Sequence, residues 1–105
     1  MKNWRRYEIL LPLRFNDGTP VPKALLAQTV QDLEKRFGAV SCETQVIQGR
    51  WQSGGISFRD DLVRVYVDVE ASEEVRTFFA NLKAQAKTRF QQLDVWVTSH
   101  EIEVL

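Results

Sequence analysis

Leu62-Val63-Arg64-Val65-Tyr66-Val67-Asp68-Val69-Glu70 alternates without a fault: the four valines fall on one side, and Arg64, Tyr66, Asp68 and Glu70 on the other. A period of two with β-branched residues on one side is the pattern of a strand laid against a core by one face only. A matching partner lies near the start of the chain. Tyr7, Ile9, Leu11, Leu13 and Phe15 share one face there, and Arg6, Glu8, Leu10, Pro12 and Arg14 the other. Pro12 removes a ladder donor, so a bulge or local break is expected at that point. Asn16-Asp17-Gly18-Thr19-Pro20 then supplies the turn chemistry that ends the strand.

Between these two strands the period changes. From Pro22 to Phe37, Leu25, Leu26, Thr29, Val30, Leu33 and Phe37 form one helical stripe, with Gln28, Gln31, Asp32, Lys35 and Arg36 on the wet side. Pro22 suits a first turn and Gly38 a left-handed cap. A second helix opens at Ser72-Glu73-Glu74, a capping hydroxyl followed by two acids at the positive end of the dipole. Its stripe is Val75, Phe78, Phe79, Leu82, Ala86 and Phe90.

The remaining segments read as strands of lower quality. Val40 to Gly49 is β-branched but alternates poorly, as an edge strand does. Gln52-Ser53-Gly54-Gly55 marks a turn, Ile56-Ser57-Phe58 is extended again, and Asp60-Asp61 is expected to break the run. Val95 to Val104 is a last strand, with an interruption expected around Ser99 to Ile102. The order strand-helix-strand-strand-helix-strand is the split βαβ pattern. Right-handed crossovers place the first and third strands centrally and the second and fourth at the edges. The expectation is an α+β, ferredoxin-like β-α-β-β-α-β sandwich: a four-stranded antiparallel sheet with two helices on one face.

Composition narrows function mostly by exclusion. At 105 residues the chain fits one domain, and 44% hydrophobic with 27% charged residues is ordinary for a globular protein. Fourteen basic and fourteen acidic residues cancel, so no overall field draws in nucleic acid or an anionic membrane. No apolar run approaches the roughly 20 residues that span a bilayer, and Met1 to Arg6 leads into a strand without a signal core. The expected location is therefore cytoplasmic. With Cys42 alone, neither an internal disulfide nor a multi-cysteine zinc site is available. Nothing in the sequence calls for a cofactor or a bound metal.

Each residue with chemical capacity carries a plain reading beside the sharper one. His100, the sole histidine, lies on the last strand and needs partners before it can act as base or ligand. Cys42 lies on the second strand, at the far edge, so a Cys-His pair within one subunit is not expected; a small packed side chain is the plain reading. Asp17 at the end of the first strand could hold a divalent metal if mirrored across a dimer. The preferred reading is an ordinary Asp-Gly turn.

The open face of the sheet says more. Leu10, Tyr66 and Trp96 are expected to project from it, among Arg6, Glu8, Arg64, Asp68 and Thr98. Aromatics on central strands could stack bases, but the acids are badly placed for phosphate, and nucleic acid is not favoured. Aromatic and arginine anchors in a polar rim suit contact with protein. Gly49-Arg50-Trp51 on the hairpin is the other cluster. Arg50 and Trp51 read either as an interaction hot spot or as a cover over the hairpin, with Gly49 permitting a bulge.

Several short stretches together resemble a family of small bacterial domains of unknown function. They are Phe15-Asn16-Asp17-Gly18-Thr19-Pro20-Val21, Arg36-Phe37-Gly38, Gly49-Arg50-Trp51, Arg64-Val65-Tyr66-Val67-Asp68-Val69 and Lys87-Thr88-Arg89-Phe90-Gln91-Gln92. The resemblance implies a ferredoxin-like fold and no activity. It also pairs Arg36-Phe37 with Arg89-Phe90 as similar helix ends, a hint of a duplicated strand-helix-strand unit.

The functional expectation is a non-enzymatic assembly or protein-interaction domain. It would be homodimeric through the open face or an edge strand, with Leu10, Arg64, Tyr66, Trp96, Arg50 and Trp51 at the contact. The alternatives are a small metal-dependent nuclease, a cofactor-free enzyme using His100, and a binder of single-stranded nucleic acid.

Overall fold

The computed structural model describes residues 2–105. Strand β1 (Trp4–Pro12) leads through a turn into helix α1 (Lys23–Phe37); β2 (Ser41–Cys42), β3 (Ile47–Ser53) and β4 (Ile56–Glu70) follow, then α2 (Glu73–Arg89) and β5 (Val97–Ile102). The strands lie in the order β2-β4-β1-β5, with β3 pairing the other end of β4, and every pairing is antiparallel. This is the expected α+β ferredoxin-like arrangement, with β1 and β4 central.

The alternation read from the two best strands sets the layers. Trp4↔Glu70 through Pro12↔Leu62 form an unbroken ladder between β1 and β4. Tyr7, Ile9, Leu11, Val65, Val67 and Val69 are buried on its inner face beneath Leu33, Phe79, Leu82 and Phe90 of the helical layer. An aromatic column continues the packing: Tyr7 stacks on Phe79 with centroids 4.2 Å apart, and Phe37 on Phe79 at 5.5 Å. Ser72 caps α2 by accepting the Val75 N–H, and Gly38 ends α1 at φ 80°, a region only glycine enters without strain.

Four expectations need correction. The strand expected over Val40–Gly49 is two strands, because the chain leaves β4 after Cys42 and rejoins it at Ile47, giving five strands rather than four. Asp60-Asp61 does not interrupt β4. Successive residues face opposite ways, so the two carboxylates do not meet; Asp60 accepts the Trp51 indole N–H, and the Asp61 carbonyl accepts the Leu13 N–H. Gly49 forms no bulge but pairs regularly with Asp60, and a Cβ there would come within 3.1 Å of Leu62 Cδ1. Finally, β5 runs unbroken from Ile9↔Val97 to Trp4↔Ile102. Its polar run is tolerated because an edge strand is half solvated, and Ser99 accepts a hydrogen bond from Arg5.

The two helix ends do not behave as copies. Arg36 lies over the Phe37 and Phe78 rings, whereas Arg89 crosses to the other helix. Its Nη1 donates to Thr29 Oγ1 at 2.8 Å and its Nη2 to Asp32 at 3.4 Å. Thr29 is fully buried, and its hydroxyl also donates to the Leu25 carbonyl. Thr29→Val keeps the volume but strands the guanidinium, and urea unfolding should show a loss of about 1–3 kcal/mol. Thr29→Val combined with Arg89→Met should recover part of that loss.

Candidate functional site

The outer face of the sheet divides into a charged half and an apolar half. Register places Leu10, Glu8, Arg6, Arg64, Tyr66 and Asp68 on this face, as expected. In the charged half, Arg6 Nε and Nη2 bond both oxygens of Asp68 at 2.7 and 3.0 Å, and the guanidinium lies 4.4 Å from the Tyr66 ring centroid. Those bonds raise the Arg6 pKa above its already high value. Arg64 is held between Glu8 and Glu43, at 3.6 and 3.1 Å. Both central arginines are therefore engaged by carboxylates, and the aromatic ring of Tyr66 is roofed by Arg6. This half offers little to a phosphate backbone.

The apolar half exists because β1 stops. Pro12, two residues past the Leu10 N–H that reaches Trp96, has no N–H to extend the pairing on that side, while β4 extends on as far back as Ile56, paired there with β3. A cleft of about 320 Å³ opens at this step. Leu10 and Pro12 form one side, Leu62 and Trp51 the hairpin side, and Val95 and Trp96 the third. The Leu10 N–H donates to the Trp96 carbonyl, which pins the segment before β5 against β1 and leaves the Trp96 side chain 63% exposed. Trp51 stacks on Phe58 at 4.3 Å and 15°, and its Nε1 donates to Asp60 at 2.6 Å. Trp51 thus covers its own hairpin and also walls the cleft.

Of the anticipated contact residues, Leu10, Trp96, Arg50 and Trp51 border this cleft, while Arg64 and Tyr66 lie in the charged half. Asp60, Leu62, Pro12 and Asp94 were not anticipated there. A signal for the hairpin members was present. Gly54 and Gly55 both have positive φ, as a two-residue hairpin turn needs. Counting back symmetrically from that turn pairs Trp51 with Phe58.

The residues weighed for chemistry do not meet. Cys42 is exposed on β2 at one edge, and partial desolvation pushes its thiol pKa up, away from a reactive thiolate. Exposure replaces the packed side chain expected there, because only two residues of β2 pair with the sheet. His100 is exposed on β5 at the other edge, opposite Arg6. Asp17 Oδ1 accepts the Thr19 hydroxyl and N–H at 2.6 and 2.9 Å, bonds that hold its carboxyl below the usual range. Among the described residues, no group of three or more His, Cys, Asp or Glu side chains is placed to hold a metal ion. No helix there is long and apolar enough to cross a membrane.

No family model matches the chain, and no curated protein does. Solved structures share the fold. A phage SAM lyase in its apo state superposes with a TM-score of 0.69 at 19% identity, covering 94% of this chain and 81% of its own. A phage SAM lyase in complex with S-methyl-5'-thioadenosine gives 0.67 at 18%, covering 99% and 92%. CutA1 from Oryza sativa gives 0.68 at 8%, covering 98% and 83%. At such identities the likeness is one of fold alone.

Asp94, at the cleft border, is also tied to α2: Lys83 Nζ lies 3.2 Å from its Oδ1. The Lys83 hydrogen bond, and then the Val95 N–H, hold the Asp94 carboxyl below the usual range. A lowered folded pKa stabilises the fold above the unfolded value of about 3.9, and that contribution is lost as pH falls through the lowered value. Lys83→Met should move the Asp94 titration upward in a carboxyl-detected NMR series. An unchanged titration would show that the pair is not formed in solution.

Proposed function

We propose that this chain is an assembly domain that associates with a second copy of itself through the apolar half of its outer face. The observation that carries the reading is the cleft between Trp51, Leu62, Leu10 and Trp96, set beside a hairpin that leaves the sheet. An isolated two-stranded ribbon is marginal in water, yet this one displays Trp51, Phe58 and an Ile56 that is 59% exposed. Past Pro12 the β1 side of β4 has little strand cover, and the hairpin draws the chain out to 46 × 29 × 25 Å. Its radius of gyration of 14.4 Å exceeds the roughly 13 Å of a compact chain of this length. A balanced charge lets two copies approach without net repulsion. Trp96 in the cleft of the partner, ringed by the polar groups of Asp60, Asp94 and Arg50, would be a hot spot within a polar rim.

Light scattering after gel filtration tests this directly. The wild type should elute at a multiple of the monomer mass, and Trp96→Glu should weaken association about thirty-fold or more while leaving the circular dichroism spectrum unchanged. A wild type that stays monomeric at high concentration, or a Trp96→Glu variant that assembles as well as the wild type, would sink the reading.

The same cleft supports a second reading, a small-ligand site, since its volume is of the size such sites take. The rings of Trp51 and Trp96 favour an organic cation. One of the structural neighbours is a phage SAM lyase in complex with S-methyl-5'-thioadenosine. Titration with S-adenosylmethionine, followed by tryptophan fluorescence in wild type and Trp51→Phe, separates the two readings: a saturable change confined to the wild type supports the ligand site, and none removes it.

A further inference from the structure

The helix side of the sheet carries a second concavity with a different chemistry. Here α2 lies over β1 and leaves the inner face of the edge strand β5 only partly covered. The resulting groove, about 680 Å³, runs from the Ala71-Ser72 turn along α2 to Lys83. On the helix, Arg76, Ala80 and Lys83 follow at spacings of four and three, one flank of the buried stripe Val75, Phe79, Leu82. On the sheet, Arg5 and Ser99 face them, and Ala80 and Val97 give the groove its accessible apolar surface above the buried Tyr7–Phe79 stack that forms its floor.

Three cations line this groove, against one acid, Glu73. Their commitments differ. Lys83 is held by Asp94. Arg5 donates from Nε to Ser99 Oγ at 2.9 Å, which fixes the side chain, and its Nη1 reaches only a mostly exposed Glu101 at 4.0 Å. A pair at that distance and exposure is worth little. Arg76 has no carboxylate in salt-bridge range among the described residues. An oriented guanidinium with a weak partner and a second with none, beside hydroxyls and an apolar floor, match an oxyanion carried on an apolar body.

We infer that the groove between α2 and β5 binds a small organic oxyanion, with its head at Arg5 and Arg76 and its body over the Tyr7–Phe79 floor. The head is a phosphate or a carboxylate. Ser99, already accepting from Arg5, keeps its own hydroxyl proton to donate to the head. This site lies on the opposite side of the sheet from the assembly cleft and does not depend on it.

Phenyl phosphate, benzoate and inorganic phosphate are the probes, each titrated to 10 mM into the 15N-labelled full chain. Phenyl phosphate or benzoate, whichever head the site prefers, should shift the Ser99, Ala80 and Arg76 amides saturably, and more tightly than inorganic phosphate, which lacks the body. Arg76→Gln, at an exposed helical position, should weaken that binding about ten-fold without changing the thermal midpoint appreciably. Raised salt should weaken it too. No saturable shift with either organic anion would overturn the inference, as would shifts of the same affinity in Arg76→Gln. Equal binding of inorganic phosphate would overturn the role of the floor.

Discussion

The ladder between Trp4–Pro12 and Leu62–Glu70 joins segments about half the chain apart, and the other elements take their places from it. Because side chains alternate across each strand, one register assigns Tyr7, Ile9, Leu11 and the valines of β4 to the helices, and Leu10, Arg6, Arg64 and Tyr66 to the outside. A slip by one residue would put charges under α1 and α2, so the alternation itself defends the register. Where the ladder ends is equally consequential. β1 ends at Pro12, one further bond runs from the Leu13 N–H to the Asp61 carbonyl, and beyond it β4 continues paired with β3; both the protruding hairpin and the cleft beside it follow from that mismatch in strand length.

The helical layer is held by two unlike contacts. At one end the rings of Tyr7, Phe79, Phe37 and Phe78 pack as stacked and edge-on pairs. At the other, Arg89 reaches a fully buried Thr29 hydroxyl. The aromatic contacts supply area and tolerate small shifts. The polar one contributes little net energy when made and costs more when half removed, which ties the two helices to one relative position.

The two faces of the sheet thereby acquire separate chemistries. Outside, Arg6 is paired with Asp68 and Arg64 lies between Glu8 and Glu43, with its buried Nε short of a hydrogen bond, while the indole of Trp96 stays exposed beside the apolar cleft. Inside, at the margin that α2 does not cover, the guanidinium of Arg76 has no carboxylate in salt-bridge range among the described residues. A chain whose charges cancel overall can still concentrate one sign locally, which an account of net charge does not show.

Both helices, with Gly38 and Ser72 as caps, the two central strands, the buried stripe including Thr29, and the outward placement of Leu10, Tyr66 and Trp96 are legible in the sequence. Each of these rests on local periodicity or turn chemistry, which is written into neighbouring residues. The rest depends on contacts between segments distant in the chain. The second strand split because β4 is long enough to pair in two places, a matter of partner length that Val40–Gly49 does not encode. Asp60 joined Trp51, and Arg5 met Ser99, across the sheet rather than along the chain. Tyr66 and Arg64, expected on the same face as Trp96, lie in its charged half beside Arg6, Glu8 and Glu43. Which polar groups remain available for function depends on which are already satisfied, and that is settled only when distant strands are brought side by side.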